Sequence, residues 1–232
     1  MKYTPASTAN PKPTPATTPR ARSGKVVARK TIPPGEVRII GGQYKRSKLP
    51  VANKPGLRPT PDRVRETLFN WLGQDLSGWR CIDVFAGTGA LGFEAASRGA
   101  AEVLLCEQDA ALAVQLKALQ DKLHASMVKV ERGDGLAALR RLSAGSQQLV
   151  FLDPPFDSPL FEPALRAAAQ AVAEPGYVYL EAPQAWADEA LLDYGLRVHR
   201  SGKAGAVFYH LLVRTKVLPT DPTLPLGGTG GP

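Results

Sequence analysis

The sequence predicts an α/β fold: a doubly wound, seven-stranded, mostly parallel sheet with an antiparallel C-terminal strand, preceded by a β-hairpin and helix appendage. Three observations lead to this prediction. From residue 81, short apolar runs alternate with segments of helical length, the order typical of a parallel sheet. The last two strand-like runs lie too close together for a helical crossover, so they should pair antiparallel. A short basic segment with the pattern of a hairpin precedes the first of these units.

The positive charge of the chain is concentrated at its N-terminal end. Residues 1–65 contain 15 Lys and Arg against 2 acids, a balance of +13, which leaves −5 for the rest of a chain with a net charge of +8. This asymmetry indicates a polyanionic partner, most often a nucleic acid, because neutralising phosphates releases condensed counterions. The simpler alternative is a solvated basic tail.

The two ends of the chain predict no packed structure. Residues 1–35 lack acids and superficially resemble an organelle transit peptide, but seven prolines oppose the amphipathic helix that such peptides form. We therefore predict a disordered, basic, Pro-rich extension there and a flexible Gly/Pro tail over 215–232. No run approaches the roughly 20 apolar residues needed to cross a bilayer, so no membrane partner is expected.

Residues 36–57 predict a basic β-hairpin. Apolar alternation in VRIIGGQYKRSKLPV is interrupted by the turn pair Gly41-Gly42. The cations of this segment and of the helix that follows are the candidate nucleic-acid-binding residues: Arg38, Lys45, Arg46, Lys48, Arg58, Arg63 and Arg65.

The main domain is predicted to extend over residues 58–214. Its first helix is predicted at residues 58–73. Thr60 is the expected N-cap and Pro61 the first helical residue, a position that tolerates the missing proline N–H. The spacing of the apolar residues places the arginines on other faces and predicts a buried stripe formed by Val64, Leu68, Trp71 and Leu72.

The segment CIDVFAGTGALG, residues 81–92, predicts a buried parallel strand, a glycine-rich turn and a helix start. Its glycines let the backbone turn sharply and approach a ligand, while the helix N-terminus offers unpaired N–H groups. The letters GTGALG match the dinucleotide pattern G-x-G-x-x-G, which by itself is a weak signal.

Further strands are predicted at 102–107, 127–131, 148–152 and 176–181, with a helix capped by Asp109 after the first of them. The last two strands, at 196–200 and 206–214, flank Gly202 and Gly205. Cys81 and Cys106 fall on predicted buried strands and form no C-x-x-C pair, so neither a disulfide framework nor a metal site is indicated. Two such cysteines fit a reducing, cytoplasmic location.

Four predicted strand ends carry an acid, and ligands of open α/β sheets bind at such ends. Glu107 is placed to accept both hydroxyls of a ribose, which fits NAD and S-adenosylmethionine equally. Asp83 favours the second, because a carboxylate beside the glycine turn would repel a pyrophosphate but attract an amino group and a sulfonium. Asp134 is then placed to accept a hydrogen bond from the adenine amine.

The fourth acid begins the tetrapeptide Asp153-Pro154-Pro155-Phe156, which follows a buried strand. Two prolines remove two N–H donors, so the loop presents only acceptors. Such a loop suits an exocyclic base amine: acceptors that hold its hydrogens favour a pyramidal nitrogen and stabilise the positive charge that develops during its alkylation. Phe156 can stack on the base. A rigid turn after a buried strand is the simpler alternative.

Together, DVFAGTG, Glu107, the GDG turn and DPPF resemble the class I S-adenosylmethionine-dependent methyltransferases that methylate amines, whose signature is (D/N/S)-P-P-(F/Y). More closely, RIIGGQYKRSKLPV, RPTPDRVRETLFNWL, FAGTGALGFEAASRGA and FLDPPF, in that order, resemble the bacterial 16S rRNA guanine-N2 methyltransferase family RsmD. The resemblance runs from about Val37 to Arg214. It implies a Rossmann-like class I methyltransferase fold and methyl transfer to N2 of a guanine in 16S rRNA.

The resemblance also implies roles for individual residues. Asp153 and Pro154 would hold the guanine amine in line with the methyl group, Pro155 would complete the loop, and Phe156 would stack on the base. The basic hairpin would bind RNA. The S-adenosylmethionine site would be formed by Asp83, Phe85, Ala86, Gly87, Thr88, Gly89, Glu107, Gln108, Asp134 and Gly135.

Two alternatives remain open. A DNA adenine-N6 methyltransferase would use the same loop on another amine, although no separate target-recognition domain is evident. A nonenzymatic RNA-binding assembly factor would need only the basic hairpin. For the favoured function we expect a monomer whose partner is 16S rRNA within the small ribosomal subunit or its assembly intermediate, with no metal and no membrane.

Overall fold

The computed structural model describes residues 35–215, all of which belong to one compact unit. Apart from Gly35, the predicted disordered extension lies outside the described residues. The predicted tail lies outside them as well, apart from Thr215. The strands of the described part are β1 Gly35–Arg38, β2 Lys48–Val51, β3 Arg80–Asp83, β4 Glu102–Glu107, β5 Val128–Arg132, β6 Gln147–Leu152, β7 Val172–Ala182, β8 Leu196–Ala204 and β9 Val207–Arg214. Its helices are α1 Asp62–Trp71, α2 Ala90–Ser97, α3 Ala110–Lys122, α4 Gly135–Arg140, α5 Phe161–Ala171 and α6 Asp188–Leu192.

Seven of the strands form the central sheet in the order β5-β4-β3-β6-β7-β9-β8. The first five in this order run parallel, whereas β9 pairs antiparallel with both β7 and β8. The predicted sheet with antiparallel pairing at its C-terminal end is therefore confirmed. The strand order reverses between β3 and β6, and a crevice for ligands opens at such a reversal.

Both faces of the sheet are buried, which explains why its central strands read as continuous apolar runs. Successive residues of β3 and β6 point to opposite faces: Cys81 and Phe151 enter the core beneath α1, α2 and α3, while Ile82 and Val150 enter the core beneath α4, α5 and α6. Both cysteines are buried and free, as expected. No helix within residues 35–215 has the length and apolar character to cross a membrane.

The N-terminal hairpin is confirmed as an antiparallel pair, with Arg38 opposite Lys48, but Gly41-Gly42 does not form a tight turn between its strands. The connection instead lies against the C-terminal end of α2, where Gln43 N donates to the carbonyl of Ser97 over 2.8 Å. Gly42 has a φ of +72°, and a Cβ there would lie 1.8 Å from that carbonyl oxygen. Glycine is therefore required by close backbone contact as well as by its conformation.

Two predictions about α1 are wrong. Its N-cap is Pro61 rather than Thr60, whose hydroxyl donates to Glu181 instead. Its buried stripe includes Arg65 and Phe69, while Trp71 is only partly buried and stacks on Tyr209. Both differences have the same cause: tertiary partners supplied by distant residues outweigh local capping and periodicity. The short helix α6 was not predicted.

Candidate active site

A cavity of about 700 Å³ opens at the C-terminal ends of β3, β6 and β7. The loop of residues 55–61 before α1 forms one wall, and the turn between β8 and β9 forms another through Ala204 and Val207. The predicted site residues that line this cavity are Arg58, Asp83, Phe85, Ala86, Gly87, Thr88, Asp153, Pro154, Pro155 and Phe156. The predicted catalytic loop and the predicted glycine turn therefore share one cavity.

The glycine turn is held in a single conformation by its surroundings. Gly89 is the N-cap of α2 with a φ of 78°, in the left-handed region, and a Cβ there would lie 2.6 Å from Leu116. Ala86 N donates to the Cys106 carbonyl over 2.9 Å, which anchors the turn to β4. Ala86, Gly87 and Thr88 line the cavity, whereas Gly89 is buried and leaves no space for a side chain.

Asp83 lies directly before this turn and is 2 % exposed. Its Oδ2 accepts a hydrogen bond of 3.2 Å from Gly92 N, near the start of α2. Burial is the main cause that raises the pKa of Asp83 to about 7; the charges of Glu107 and Glu181 add to the rise, and backbone N–H groups oppose it. Within the described residues no cation forms a salt bridge with Asp83. A positively charged ligand group would compensate for this buried carboxylate.

Glu107 ends β4 beside the turn. Its Oε2 accepts from Gly87 N and its Oε1 from Asp109 N, both over 2.8 Å. Because each carboxylate oxygen has two lone pairs, one acceptor site per oxygen remains for a ligand. The following residue, Gln108, is exposed.

Asp134 ends the turn after β5, and the sequence did not reveal that it has a structural task. Its Oδ1 accepts from Leu136 N over 2.9 Å and from Ala137 N over 3.3 Å, so Asp134 is the N-cap of α4. The adenine interaction predicted for it would have to use Oδ2. Glu107, Asp134 and their neighbours Gln108 and Gly135 do not line the cavity itself, but they lie along the same edge of the sheet because β4 and β5 follow β3 in the sheet order.

The DPPF loop follows β6 as predicted. Pro154 is buried, and the Pro155 carbonyl accepts from Ser158 N over 3.1 Å and from Ser158 Oγ over 2.6 Å, which closes a turn. Phe156 is 36 % exposed on the cavity wall. The pKa of Asp153 is raised well above its ordinary value, first by burial and then by the charges of Glu181 and Asp83.

Sequence reasoning missed Glu181, which belongs to the same cavity. It is 5 % exposed, and its Oε1 accepts from the Thr60 hydroxyl over 2.7 Å and from the Tyr179 hydroxyl over 2.9 Å. Burial raises the pKa of Glu181, while the two hydroxyls and the charge of Arg58 lower it. The signal was present in the sequence: Glu181 is a fifth acid at a strand end, overlooked because it precedes no recognisable motif.

The loop before α1 was also missed as part of the site. Leu57 lies over the glycine turn, so that a Cβ at Gly87 would be 3.1 Å from its methyl group. Lys54 forms a salt bridge with Asp109, the N-cap of α3. These contacts join the loop to the strand ends that carry Asp83 and Glu107, and they explain how a segment far from DPPF in sequence reaches the cavity.

The predicted RNA-binding cations comprise one residue of the cavity, five exposed cations and one buried arginine. Arg58 lines the cavity, whereas Lys48 pairs with Glu36 over 2.8 Å on the exposed hairpin. Arg38, Lys45, Arg46 and Arg63 are exposed outside the cavity. Arg65 is 0 % exposed, so the prediction that it binds RNA is wrong. Its guanidinium forms salt bridges within the protein, with Glu94 at 3.0 Å and with Asp62 at 2.5 Å.

The chemical character of the cavity is that of an amine-binding site. Three carboxylates, from Asp83, Asp153 and Glu181, lie on its walls between apolar surfaces provided by Leu57, Phe85 and Phe156. Within residues 35–215 no cluster of three or more His, Cys, Asp or Glu side chains has the arrangement of a metal site. An aromatic ligand with amino groups, or a cation, would satisfy these acceptors.

Comparison with known proteins gives consistent matches over the described region. The profile of the family described as Conserved hypothetical protein 95 matches residues 37–213. The Ribosomal RNA small subunit methyltransferase D of Escherichia coli strain K12 is 39 % identical over 191 residues, which cover 78 % of this chain and 91 % of that protein. The protein of the same name from Haemophilus influenzae is 47 % identical over 135 residues, covering 56 % of this chain and 69 % of that protein. A solved structure of the Escherichia coli protein yhhF superposes with a TM-score of 0.65 at 40 % identity, covering 78 % of this chain and 99 % of that one.

Proposed function

This chain belongs to the Conserved hypothetical protein 95 family and is a methyltransferase, and from that premise we propose that it transfers a methyl group from S-adenosylmethionine to the exocyclic N2 amine of a guanine in 16S rRNA. The observation that carries this proposal is the cavity in which the acceptor-only DPPF loop faces the glycine turn. The relatives named as small-subunit rRNA methyltransferases support the choice of substrate.

The donor set of the site fits S-adenosylmethionine. Asp83, a buried carboxylate without a salt-bridge partner in the described part of the chain, would hold the amino group of the methionine moiety. Glu107 retains acceptor sites for two ribose hydroxyls, and Asp134 retains one oxygen for the adenine amine. The cofactor supplies an electrophilic methyl group attached to a sulfonium.

The protein would contribute mainly position and electrostatics. The Asp153 carboxylate and the backbone carbonyls of the loop would accept hydrogen bonds from the guanine amine, which orients its nitrogen and stabilises the charge that develops on it. Phe156, exposed on the cavity wall, would stack on the base. A strong base is unnecessary because the nitrogen becomes acidic once it is alkylated. A guanine inside folded RNA must leave its stack to reach this cavity.

The affinity for S-adenosylmethionine should depend on pH through Asp83. With a pKa of about 7 in the free protein, Asp83 loses its charge as the pH falls, and the amino group requires the ionised form. The ionised fraction of Asp83 should fall roughly eightfold from pH about 7.5 to pH about 6, and the α-amino group, with a pKa of about 7.7–8.0, is already partly deprotonated at the higher pH. Affinity should therefore be roughly fivefold weaker at the lower pH. Isothermal calorimetry at both pH values measures this. In Asp83→Asn the affinity should be weaker and nearly independent of pH; an Asn variant with the parental pH dependence would contradict the assignment.

The exposed cations of the hairpin are proposed to bind RNA. A Lys45→Ala, Arg46→Ala, Lys48→Ala variant should bind S-adenosylmethionine normally but bind its RNA substrate less tightly. The salt dependence of RNA binding should be shallower, by roughly 0.7–0.9 in slope for each phosphate that is no longer neutralised. Filter binding at several salt concentrations measures both quantities.

The matched control replaces three exposed cations elsewhere, Lys129, Arg140 and Arg141, by alanine. This control changes the net charge by the same amount. It also includes one cation paired with a glutamate: Arg141 contacts Glu131 at 2.6 Å, just as Lys48 contacts Glu36 in the hairpin. A hairpin variant with the same salt slope as this control would show that the RNA surface lies elsewhere.

One assay separates the proposal from its alternatives. The protein is incubated with methyl-labelled S-adenosylmethionine and small ribosomal subunits, bare rRNA or DNA, and the modified nucleoside is identified. Label on N2 of a guanine in rRNA supports the proposal, and label on N6 of adenine in DNA supports the DNA methyltransferase. RNA binding without label in any of the three substrates would contradict the proposed reaction. We propose in addition that the protein acts in the cytoplasm as a monomer on the subunit or its assembly intermediate.

A further inference from the structure

The cavity contains a second substrate-side carboxylate, Glu181, to which the proposed mechanism gives no role. It is the penultimate residue of β7, which pairs with β6, the strand that precedes the DPPF loop. The acids assigned to the cofactor lie at or beyond the ends of β3, β4 and β5, on the other side of the point where the strand order reverses. Glu181 therefore lies on the side of the cavity where the base would enter.

The carboxylate of Glu181 is held in one orientation. Its Oε1 accepts from the hydroxyls of Thr60 and Tyr179, and Tyr179 is itself fully buried. Thr60 lies just before the N-cap Pro61 of α1, and its hydroxyl donates to Glu181 rather than to the start of that helix. Within residues 35–215, Oε2 has no hydrogen-bond partner, and the residue lines the cavity. The protein thus presents one fixed acceptor atom next to the DPPF loop.

We propose that Oε2 of Glu181 accepts a hydrogen bond from N1–H of the target guanine and thereby selects guanine over adenine. This inference rests on the proposed function. The Watson–Crick edge of guanine carries two adjacent donors, N1–H and the N2 amine; adenine has an acceptor at N1. When the N2 amine is bound by the DPPF loop, the neighbouring N1–H donates to Oε2 of Glu181. A base with an acceptor at N1 would place that lone pair against a carboxylate oxygen instead of a donor, and such unpaired contacts are rejected strongly.

The test changes the hydrogen bonding at N1 of the target base and one atom of the protein. The guanine methylated by the wild-type protein is replaced in reconstituted rRNA by 2-aminopurine, which keeps the N2 amine but has an acceptor at N1. Single-turnover methylation of both RNAs is measured with the wild-type protein and with Glu181→Gln. Because the two hydroxyls donate to the position of Oε1, they orient the glutamine amide with its oxygen toward them and its NH2 group toward the base.

The wild-type protein should methylate the 2-aminopurine RNA at least about tenfold more slowly than the guanine RNA. Glu181→Gln should lose at least about tenfold on guanine and should reverse or abolish this preference, while its cofactor affinity stays unchanged. A merely structural role would lower both rates equally. Equal rates on both RNAs with the wild-type protein overturn the inference whether or not the variant folds, and so does a folded variant with the parental preference. If the wild-type protein places no label on N2 of any guanine, the proposed function itself has failed.

Discussion

Replacing Asp153 by alanine should slow methyl transfer by about a hundredfold, the usual effect of removing one preorganised electrostatic contact from a transition state. Asp153 follows the buried strand β6 and lines the cavity beside two prolines that can donate no hydrogen bond. Its hydrogen bond to the amine would strengthen as charge develops, so the loss should appear in the chemical step rather than in cofactor affinity.

Asp153→Asn is the sharper comparison. The amide oxygen can still accept a hydrogen bond from the amine, so this variant should retain far more activity than Asp153→Ala. Single-turnover methylation of rRNA by the three proteins, with melting temperatures measured in parallel, separates catalysis from folding. If both variants react at the parental rate, or if the Asp153→Ala protein is inactive only because it unfolds, the loop does not stabilise the transition state.

Replacing Glu94 by glutamine should lower the free energy of unfolding by about 3–5 kcal/mol, the usual effect of removing one member of a buried ion pair. Glu94 is fully buried on α2. Its carboxylate accepts from Arg65 over 3.0 Å, from Arg98 over 2.8 Å, and from the backbone N–H groups of Ile40 and Gly41 over 2.9 and 2.8 Å. Glutamine would leave two buried guanidinium groups without their shared anion and would turn an N–H2 donor toward other donors.

Thermal and denaturant unfolding measure this effect, which corresponds to a fall in melting temperature of roughly 6–20 °C for a domain of this size. Glu102→Gln is the matched control, because its pair with Arg80 spans 3.6 Å on an exposed surface and should contribute less than about 1 kcal/mol. Equal, small losses in the two variants would contradict a structural role for the Glu94 cluster.

The Glu94 cluster also shows why the hairpin is more than an attached arm. The same carboxylate joins the hairpin connection to α2, and Arg65 donates to the carbonyls of Arg38 and Thr60 over 2.9 and 3.1 Å. One set of buried charges therefore holds three parts of the molecule together: the basic hairpin, the helix α2, and Thr60, which orients Glu181. Because such a set tolerates little rearrangement, the hairpin has a defined position relative to the cavity.

Some features of the site could be predicted because they depend on local chemistry. The turn of Gly87 and Gly89 requires conformations that few residues adopt, and two consecutive prolines restrict the loop after β6 whatever surrounds them. Parallel strands bring their C-terminal ends to one edge, so acids such as Asp83 and Asp153 could be expected to meet there from the order of the strands alone.

The sequence by itself thus determined the type of sheet, the antiparallel end formed by β8 and β9, and the two loops that face each other across the cavity. Only the tertiary structure decided the roles of Thr60, Arg65 and Glu181. Local rules made Thr60 a cap and Arg65 a surface cation, but Glu181 and Glu94, 121 and 29 residues away, supply better partners. A hydroxyl or guanidinium is satisfied by whichever acceptor the fold brings within hydrogen-bond distance, and a buried charge without such a partner would be far more costly than a lost helix cap.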